Sequence, residues 1–79
     1  MGKPVSIGEI ADFIIINEDR LFCGGCGRKL KDVSWSLEMY PHSGGVLIKE
    51  RGEKMWVYVH CRFCGYDTAL WKLIKQIWK

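Results

Sequence analysis

The 79-residue chain lacks any long hydrophobic run. Its uninterrupted apolar stretches, such as residues 13–16, are only a few residues long, whereas a membrane-spanning helix needs about 20 apolar residues. The pattern of a secretory signal, an apolar segment followed by a small-residue cleavage site, does not follow Met1. We therefore expect no membrane partner, and the reducing cytoplasm is the expected location.

The sequence also lacks the residue sets of common active sites. It shows no grouping of serine, histidine and aspartate, no phosphate-cradling glycine loop and no spaced pair of carboxylates. His42 lies in a predicted turn and His60 ends a predicted strand, where surface positions are commonest, although His60 is an alternative metal ligand beside Cys61. We expect neither enzymatic activity nor a small-molecule substrate.

Side-chain amides and threonine are scarce. Asn17, Gln76 and Thr68 are the only residues of their types, while isoleucine, lysine and glutamate are abundant. This bias is typical of proteins from hot environments and favours a thermophilic source. The net charge of +3 is mild, but residues 1–19 are acidic and the rest is basic, so a polyanion would meet the second part of the chain.

The small size implies that the fold needs a source of stability in addition to the hydrophobic effect. A chain this short buries only about 60 % of the surface that its unfolded form exposes. An apolar fraction of 48 % predicts a folded core. Four cysteines offer the extra stabilisation, either as disulfides or as metal ligands.

Helical patterns flank the cysteine-containing part of a single predicted domain, residues 1–79. Ser6 and Glu9 have capping-box spacing, and the apolar residues after them predict a short N-terminal helix within 5–17. The run 13–16 is also compatible with a buried strand. Asp67 as N-cap and apolar residues at helical spacing predict a C-terminal amphipathic helix over 67–79.

The segment between the cysteine pairs predicts a three-stranded antiparallel sheet. Apolar and polar residues alternate over 33–40, and two further runs cover 46–50 and 55–60. Turn residues at 41–45 and 51–54 separate the runs. The predicted fold class is therefore small α+β: this sheet with a helix on each side in the sequence.

Two cysteine pairs of identical spacing carry the clearest chemical signal. Cys23 and Cys26, and likewise Cys61 and Cys64, enclose two residues and are followed by glycine. Such turns aim two thiolates at one tetrahedral ion, and glycine permits the left-handed backbone that closes them. They predict one Zn²⁺ on four thiolates, a closed structural site. A single iron ion, as in a rubredoxin-like electron carrier, and a pair of disulfides are the alternatives.

The segments around the cysteines resemble the two knuckles of zinc ribbons. Residues 21–30, LFCGGCGRKL, are similar to the first knuckle, and residues 59–66, VHCRFCGY, are similar to the second. The resemblance implies a ribbon over 21–66 with a structural zinc, in a family that includes small polymerase subunits and transcription factors. The pairs are 34 residues apart, more than the common 15–20 or so, which predicts an additional hairpin.

Basic residues around the knuckles predict a nucleic-acid surface. Arg28, Lys29 and Lys31 follow the first pair and Arg62 lies within the second, so facing knuckles would group these charges. Aromatic residues, namely Tyr66, Phe63 and Trp56, are candidates for stacking on single-stranded bases. The predicted partners are nucleic acid or transcription proteins, and the alternative is that these cations form a solvated rim and the aromatic residues belong to the core.

The C-terminal segment predicts a second kind of interaction. It holds more apolar side chains than a small sheet covers, with Trp71 and Trp78 as the expected anchors. A homodimer or a protein-interaction adaptor is therefore the alternative function. The acidic first helix and the basic last helix have charges suited to pairing between subunits.

Overall fold

The computed structural model describes residues 3–78. It contains helix α1 (Ile7–Asn17), a 3₁₀ turn (Leu30–Asp32), strands β1 (Trp35–Ile48), β2 (Glu53–Cys61) and β3 (Asp67–Ala69), and helix α2 (Leu70–Ile77). The strands form one antiparallel sheet in the order β1-β2-β3. The predicted small α+β fold is confirmed. Among the described residues, neither helix has the length and apolar character needed to cross a membrane.

Helix α1 begins at the predicted capping box, and the alternative of a strand over 13–16 is wrong. Ser6 Oγ accepts a hydrogen bond from the Glu9 backbone N–H (3.1 Å), and the Ser6 N–H donates to Glu9 Oε1 (2.8 Å). The helix is held to the hairpin turn by the Ile7 N–H, which donates to Glu50 Oε1 at 3.0 Å. A local signal therefore starts the helix, and a distant carboxylate positions it.

Strand β1 joins two segments that the sequence pattern predicts as separate strands, so that prediction is wrong. Residues 35–41 pair with 55–61, and residues 46–48 pair with 53–55, so Pro41 and Val46 both face Met55. The intervening residues form an irregularity within one long hairpin, not a turn between two strands. Gly45 is required there, because a Cβ at this position would overlap the Met55 backbone carbonyl.

The third strand is β3, and it lies within the segment predicted as helix. Asp67, Thr68 and Ala69 pair with His60, Val59 and Tyr58 of β2. The prediction that the helix covers 67–79 with Asp67 as its N-cap is wrong: Ala69 precedes the first helical residue, Leu70. Three residues of sheet pairing, supported by a buried Thr68, prevail over the capping preference of aspartate.

The core lies between one face of the sheet and the two helices. Met55, Val57, Val59 and Cys61 alternate along β2 and are buried. The helices contribute buried side chains to the same cluster, namely Ile10, Ile14 and Leu73. The opposite face, which we call the outer sheet face, carries Trp56, Tyr58 and His60 from β2. The cysteines stand at the end of this arrangement where β2 finishes.

Candidate metal centre

The first knuckle is a tight turn closed by backbone hydrogen bonds. The Gly27 N–H donates to the Cys23 carbonyl (3.0 Å), and the Cys23 N–H donates to the Arg28 carbonyl (2.9 Å). Gly27 has a φ of 74°, in the left-handed region that glycine tolerates best. The glycine after the cysteine pair therefore has the role predicted from the sequence.

The second knuckle repeats this geometry. The Gly65 N–H donates to the Cys61 carbonyl (2.7 Å), and the Cys61 N–H donates to the Tyr66 carbonyl (3.0 Å). Gly65 has a φ of 79°. Cys61 is the last residue of β2, so the sheet fixes where this knuckle begins.

The two knuckles bring four sulfur atoms together. Cys23 Sγ lies 3.5 Å from Cys64 Sγ, and Cys26 Sγ lies 4.0 Å from Cys61 Sγ. All four sulfurs are within 4.8 Å of one another. A tetrahedron with metal–sulfur bonds of about 2.3 Å has edges of about 3.8 Å. The spacing fits a metal ion on four thiolates and is far longer than the about 2.05 Å of a disulfide bond.

Backbone N–H groups and neighbouring thiols shift the pKa of two cysteines in opposite directions. Burial raises the pKa of Cys23, but the N–H groups of Cys26 and Gly25 and the thiols of Cys64 and Cys26 bring it to about 7. The Tyr66 N–H lowers the pKa of Cys64, whereas loss of solvent and the other three thiols raise it to about 11. A bound metal cation favours the deprotonated form of every thiol ligand, so metal binding at this cluster would release protons.

Side chains outside the cysteine motifs hold the first knuckle in place, and no sequence motif predicts this role for them. Thr68 is buried, and its Oγ1 accepts a hydrogen bond from the Gly24 N–H at 3.0 Å. Gln76 of α2 accepts from the Phe22 N–H (2.9 Å) and donates to the Phe22 carbonyl (3.2 Å). The only sequence signal for Thr68 and Gln76 is that each is the single residue of its type in the chain.

Tyr66 packs directly on the first knuckle. A Cβ on Gly25 would lie 2.5 Å from Tyr66 Cβ and 3.2 Å from Cys64 Sγ. The close approach of the two knuckles therefore depends on the absence of a side chain at Gly25. Tyr66 as a whole remains 43 % exposed.

Most of the predicted basic and aromatic residues lie around the cysteine cluster. Arg28, Lys29, Lys31 and Arg62 are exposed. The Arg28 guanidinium lies 4.3 Å from the centre of the Phe63 ring, a cation–π contact between the two knuckles. Trp56 is not part of this group, because it lies on the outer sheet face and stacks on His42 with ring centroids 3.6 Å apart.

His60 is not a member of the cysteine cluster. It lies on the outer sheet face, and its Nδ1 is 2.6 Å from Asp67 Oδ1. Cys61 follows it on the strand and therefore points to the other face. His42 is exposed, as the sequence predicts.

The two predicted partner-binding tryptophans are exposed but differently placed. Trp71 is 56 % exposed, with the ammonium groups of Lys72 and Lys75 at 5.6 and 5.3 Å from its ring. Trp78 is 66 % exposed and packs against Phe13 of α1, with ring centroids 5.8 Å apart. Trp78 therefore closes one end of the space between the helices.

Comparisons of the chain with protein-family models, with curated proteins and with solved structures give no match. The cluster of Cys23, Cys26, Cys61 and Cys64 is thus described as a candidate metal site from its geometry alone. Four thiols converge at metal-ligand spacing on two matching turns.

Proposed function

We propose that the protein is a non-enzymatic module whose fold is stabilised by one Zn²⁺ and that it binds single-stranded nucleic acid beside the metal centre. Zinc suits the ligand set, since four thiolates at tetrahedral spacing occupy every coordination position and leave none for water or substrate. An iron ion on the same thiolates, with a rubredoxin-like electron-transfer role, remains the alternative, and elemental analysis distinguishes the two.

The observation that carries the nucleic-acid proposal is the surface that we call the knuckle face: Arg28, Lys29, Arg62, Phe63 and Tyr66. All five residues are exposed, and Phe63 is 61 % accessible. Exposed aromatic rings flanked by cations are the pattern by which proteins hold single-stranded nucleic acid, since bases stack on the rings and phosphates pair with the cations.

A shallow concavity beside Phe63 supports this proposal. It is lined by Asp32, Val33, Ser34, Arg62 and Phe63 and has a volume of about 330 Å³. Phe63 offers an aromatic ring for stacking on a base, and Arg62 offers a cation for the adjoining phosphate. Asp32 is the only acidic residue in this lining.

Fluorescence anisotropy with labelled single-stranded DNA and RNA oligonucleotides tests the proposal. We expect binding that weakens steeply with salt, because lysine and arginine contacts to phosphate release counterions. The triple variant Arg28→Gln, Lys29→Gln, Arg62→Gln should abolish it, and Phe63→Ala should cost about 1–3 kcal/mol per stacked base.

The matched control is the double variant Lys49→Gln, Arg51→Gln. These exposed cations lie at the turn of the β1–β2 hairpin, and the cysteines lie at its opposite end. A competing role for the knuckle cations is to offset the two negative charges of a zinc ion on four thiolates. In that case no oligonucleotide will bind, and this result would contradict the proposal. Equal losses in the control and in the triple variant would also contradict the proposal.

Self-association is the second candidate function, and an apolar groove between the helices favours it. One cavity of about 220 Å³ is lined by apolar residues that include Phe13, Val46, Leu70, Ile74 and Trp78. A second cavity of about 140 Å³ shares Val46, Leu70 and Ile74 with the first and is also lined by Trp71. Acidic Glu9 and Asp12 on α1 and basic Lys72 and Lys75 on α2 make a two-fold pairing of copies complementary in charge.

Sedimentation velocity over a range of concentrations tests this candidate. We expect a dimer that Val46→Glu disrupts, because Val46 is 43 % exposed and lies in both cavities. Ser43→Glu, an exposed position on the same strand outside the groove, is the control. A wild-type protein that stays monomeric at all concentrations would exclude self-association.

A further inference from the structure

A second group of metal-ligating side chains lies on the outer sheet face. Glu38, His60 and Asp67 come from β1, β2 and β3 respectively. Asp67 is opposite His60 in the register, and Glu38 is opposite Tyr58, two residues before His60. Residues opposite or two apart share a face of a sheet. The group is therefore separated by the sheet from the cysteine cluster.

The distances within this group are close to those of a metal site. One ligand atom of each residue lies within 4.8 Å of the other two. For any three atoms within 4.8 Å of one another, there is a point that lies within about 2.8 Å of all three. Bonds of Zn²⁺ to nitrogen and oxygen are roughly 2.0–2.2 Å long, so small side-chain movements would bring the three donors to bonding distance of an ion at that point. The sheet thus preorganises three donors around one position.

The charges of the group also favour a cation. Within residues 3–78, no lysine or arginine lies within 4.0 Å of the Glu38 or Asp67 carboxylate, and the contact of Asp67 at that distance is with the His60 imidazole. Tyr40 Oη donates a hydrogen bond to Glu38 Oε1 at 2.9 Å and so orients that carboxylate. Hydrogen bonds of this kind hold metal ligands in place and raise affinity.

We propose that Glu38, His60 and Asp67 bind one divalent transition-metal cation. An imidazole with two carboxylates is a donor set for Zn²⁺, Ni²⁺ or a related ion, whereas all-oxygen sets favour Ca²⁺ and Mg²⁺. The side chains of His60 and Asp67 are 31 % and 41 % accessible, so an ion reaches them from solvent. Three protein ligands leave at least one coordination position open, unlike the closed cysteine site.

Isothermal titration of the zinc-loaded protein with Ni²⁺, followed by dialysis and elemental analysis, tests this site. We expect one Ni²⁺ per chain in addition to the ion on the cysteines. His60→Gln and Asp67→Asn should each weaken Ni²⁺ binding at least about tenfold, and Tyr40→Phe should weaken it about tenfold through the freed carboxylate. His42→Gln, an exposed histidine outside the group, should leave it unchanged.

Circular dichroism and retention of the cysteine-bound metal show that each variant is folded. If His60→Gln does not fold, Glu38→Gln provides the same comparison, because Glu38 is on the other long strand. The absence of a second metal equivalent in the wild type, even at millimolar Ni²⁺, overturns the proposal. Binding that His42→Gln removes and His60→Gln retains overturns it as well.

Discussion

At the scale of single residues, the four clustered cysteines are predictable from the sequence, and the residues that support them are not. Cys23 and Cys26 form a local motif whose spacing itself sets the turn, so the sequence shows their role. Thr68 and Gly25 act through partners on other elements: Thr68 accepts from Gly24, and Gly25 leaves room for Tyr66. Such contacts exist only once β3 lies beside the first knuckle, so no local sequence pattern predicts them.

Thr68→Val is expected to destabilise the protein by about 1–3 kcal/mol, because it retains the shape of the side chain and removes the oxygen that accepts from the Gly24 N–H. Chemical denaturation measures the loss, and hydrogen exchange should show a faster Gly24 amide. In Thr68→Ser the oxygen is kept, so the Gly24 amide should remain protected. A Thr68→Val protein as stable as wild type would show that this hydrogen bond contributes nothing.

At the scale of helices and strands, patterns predict an element well where its own residues decide it. The capping box of Ser6 and Glu9 fixes the start of α1 correctly. Strand assignments are less accurate because pairing partners decide them: β2 is long enough to pair with both parts of β1 across the irregularity at 42–45. Likewise, pairing with His60 and Val59 draws Asp67 and Thr68 into β3, although aspartate favours a helix start.

Helix α2 is short, and its attachment to the first knuckle depends on Gln76. Removal of both hydrogen bonds to Phe22 in Gln76→Ala should lower the free energy of unfolding by about 1–3 kcal/mol, at about 0.5–1.5 kcal/mol per bond. Thermal or urea denaturation measures the change. Lys72→Ala, at an exposed position of the same helix, is the control and should alter stability by less than about 0.5 kcal/mol. Equal effects of the two substitutions would contradict this role of Gln76.

At the scale of the whole molecule, the cysteine cluster joins parts of the chain that are far apart in sequence. Cys23 and Cys26 precede the sheet in sequence, and Cys61 and Cys64 connect β2 with β3. A metal on these four thiols closes a loop of 34 intervening residues that contains the whole β1–β2 hairpin. Within residues 3–78 the small core has eleven buried hydrophobic residues, and a metal on the four thiols would stabilise it at one end.

The need for such stabilisation follows from size and composition, and the sequence predicts it. The metal identity and the partner lie beyond what spacing indicates, because zinc and iron use the same knuckles and because exposed cations serve several kinds of ligand. The three-dimensional structure also shows that the exposed aromatic residues belong to two separate surfaces, which the sequence does not indicate. Phe63 and Tyr66 belong to the knuckle face, whereas Trp56 belongs to the outer sheet face.

The most direct test of the metal-stabilised fold is elemental analysis of the native protein combined with thermal melts with and without a chelator. We expect one Zn²⁺ per chain retained after gel filtration in metal-free buffer, and we expect chelation to unfold the protein. Zinc binding by four thiolates is worth on the order of 10–16 kcal/mol, more than the stability of a domain this small. A native protein that retains no metal and melts at the same temperature with and without chelator would contradict the account.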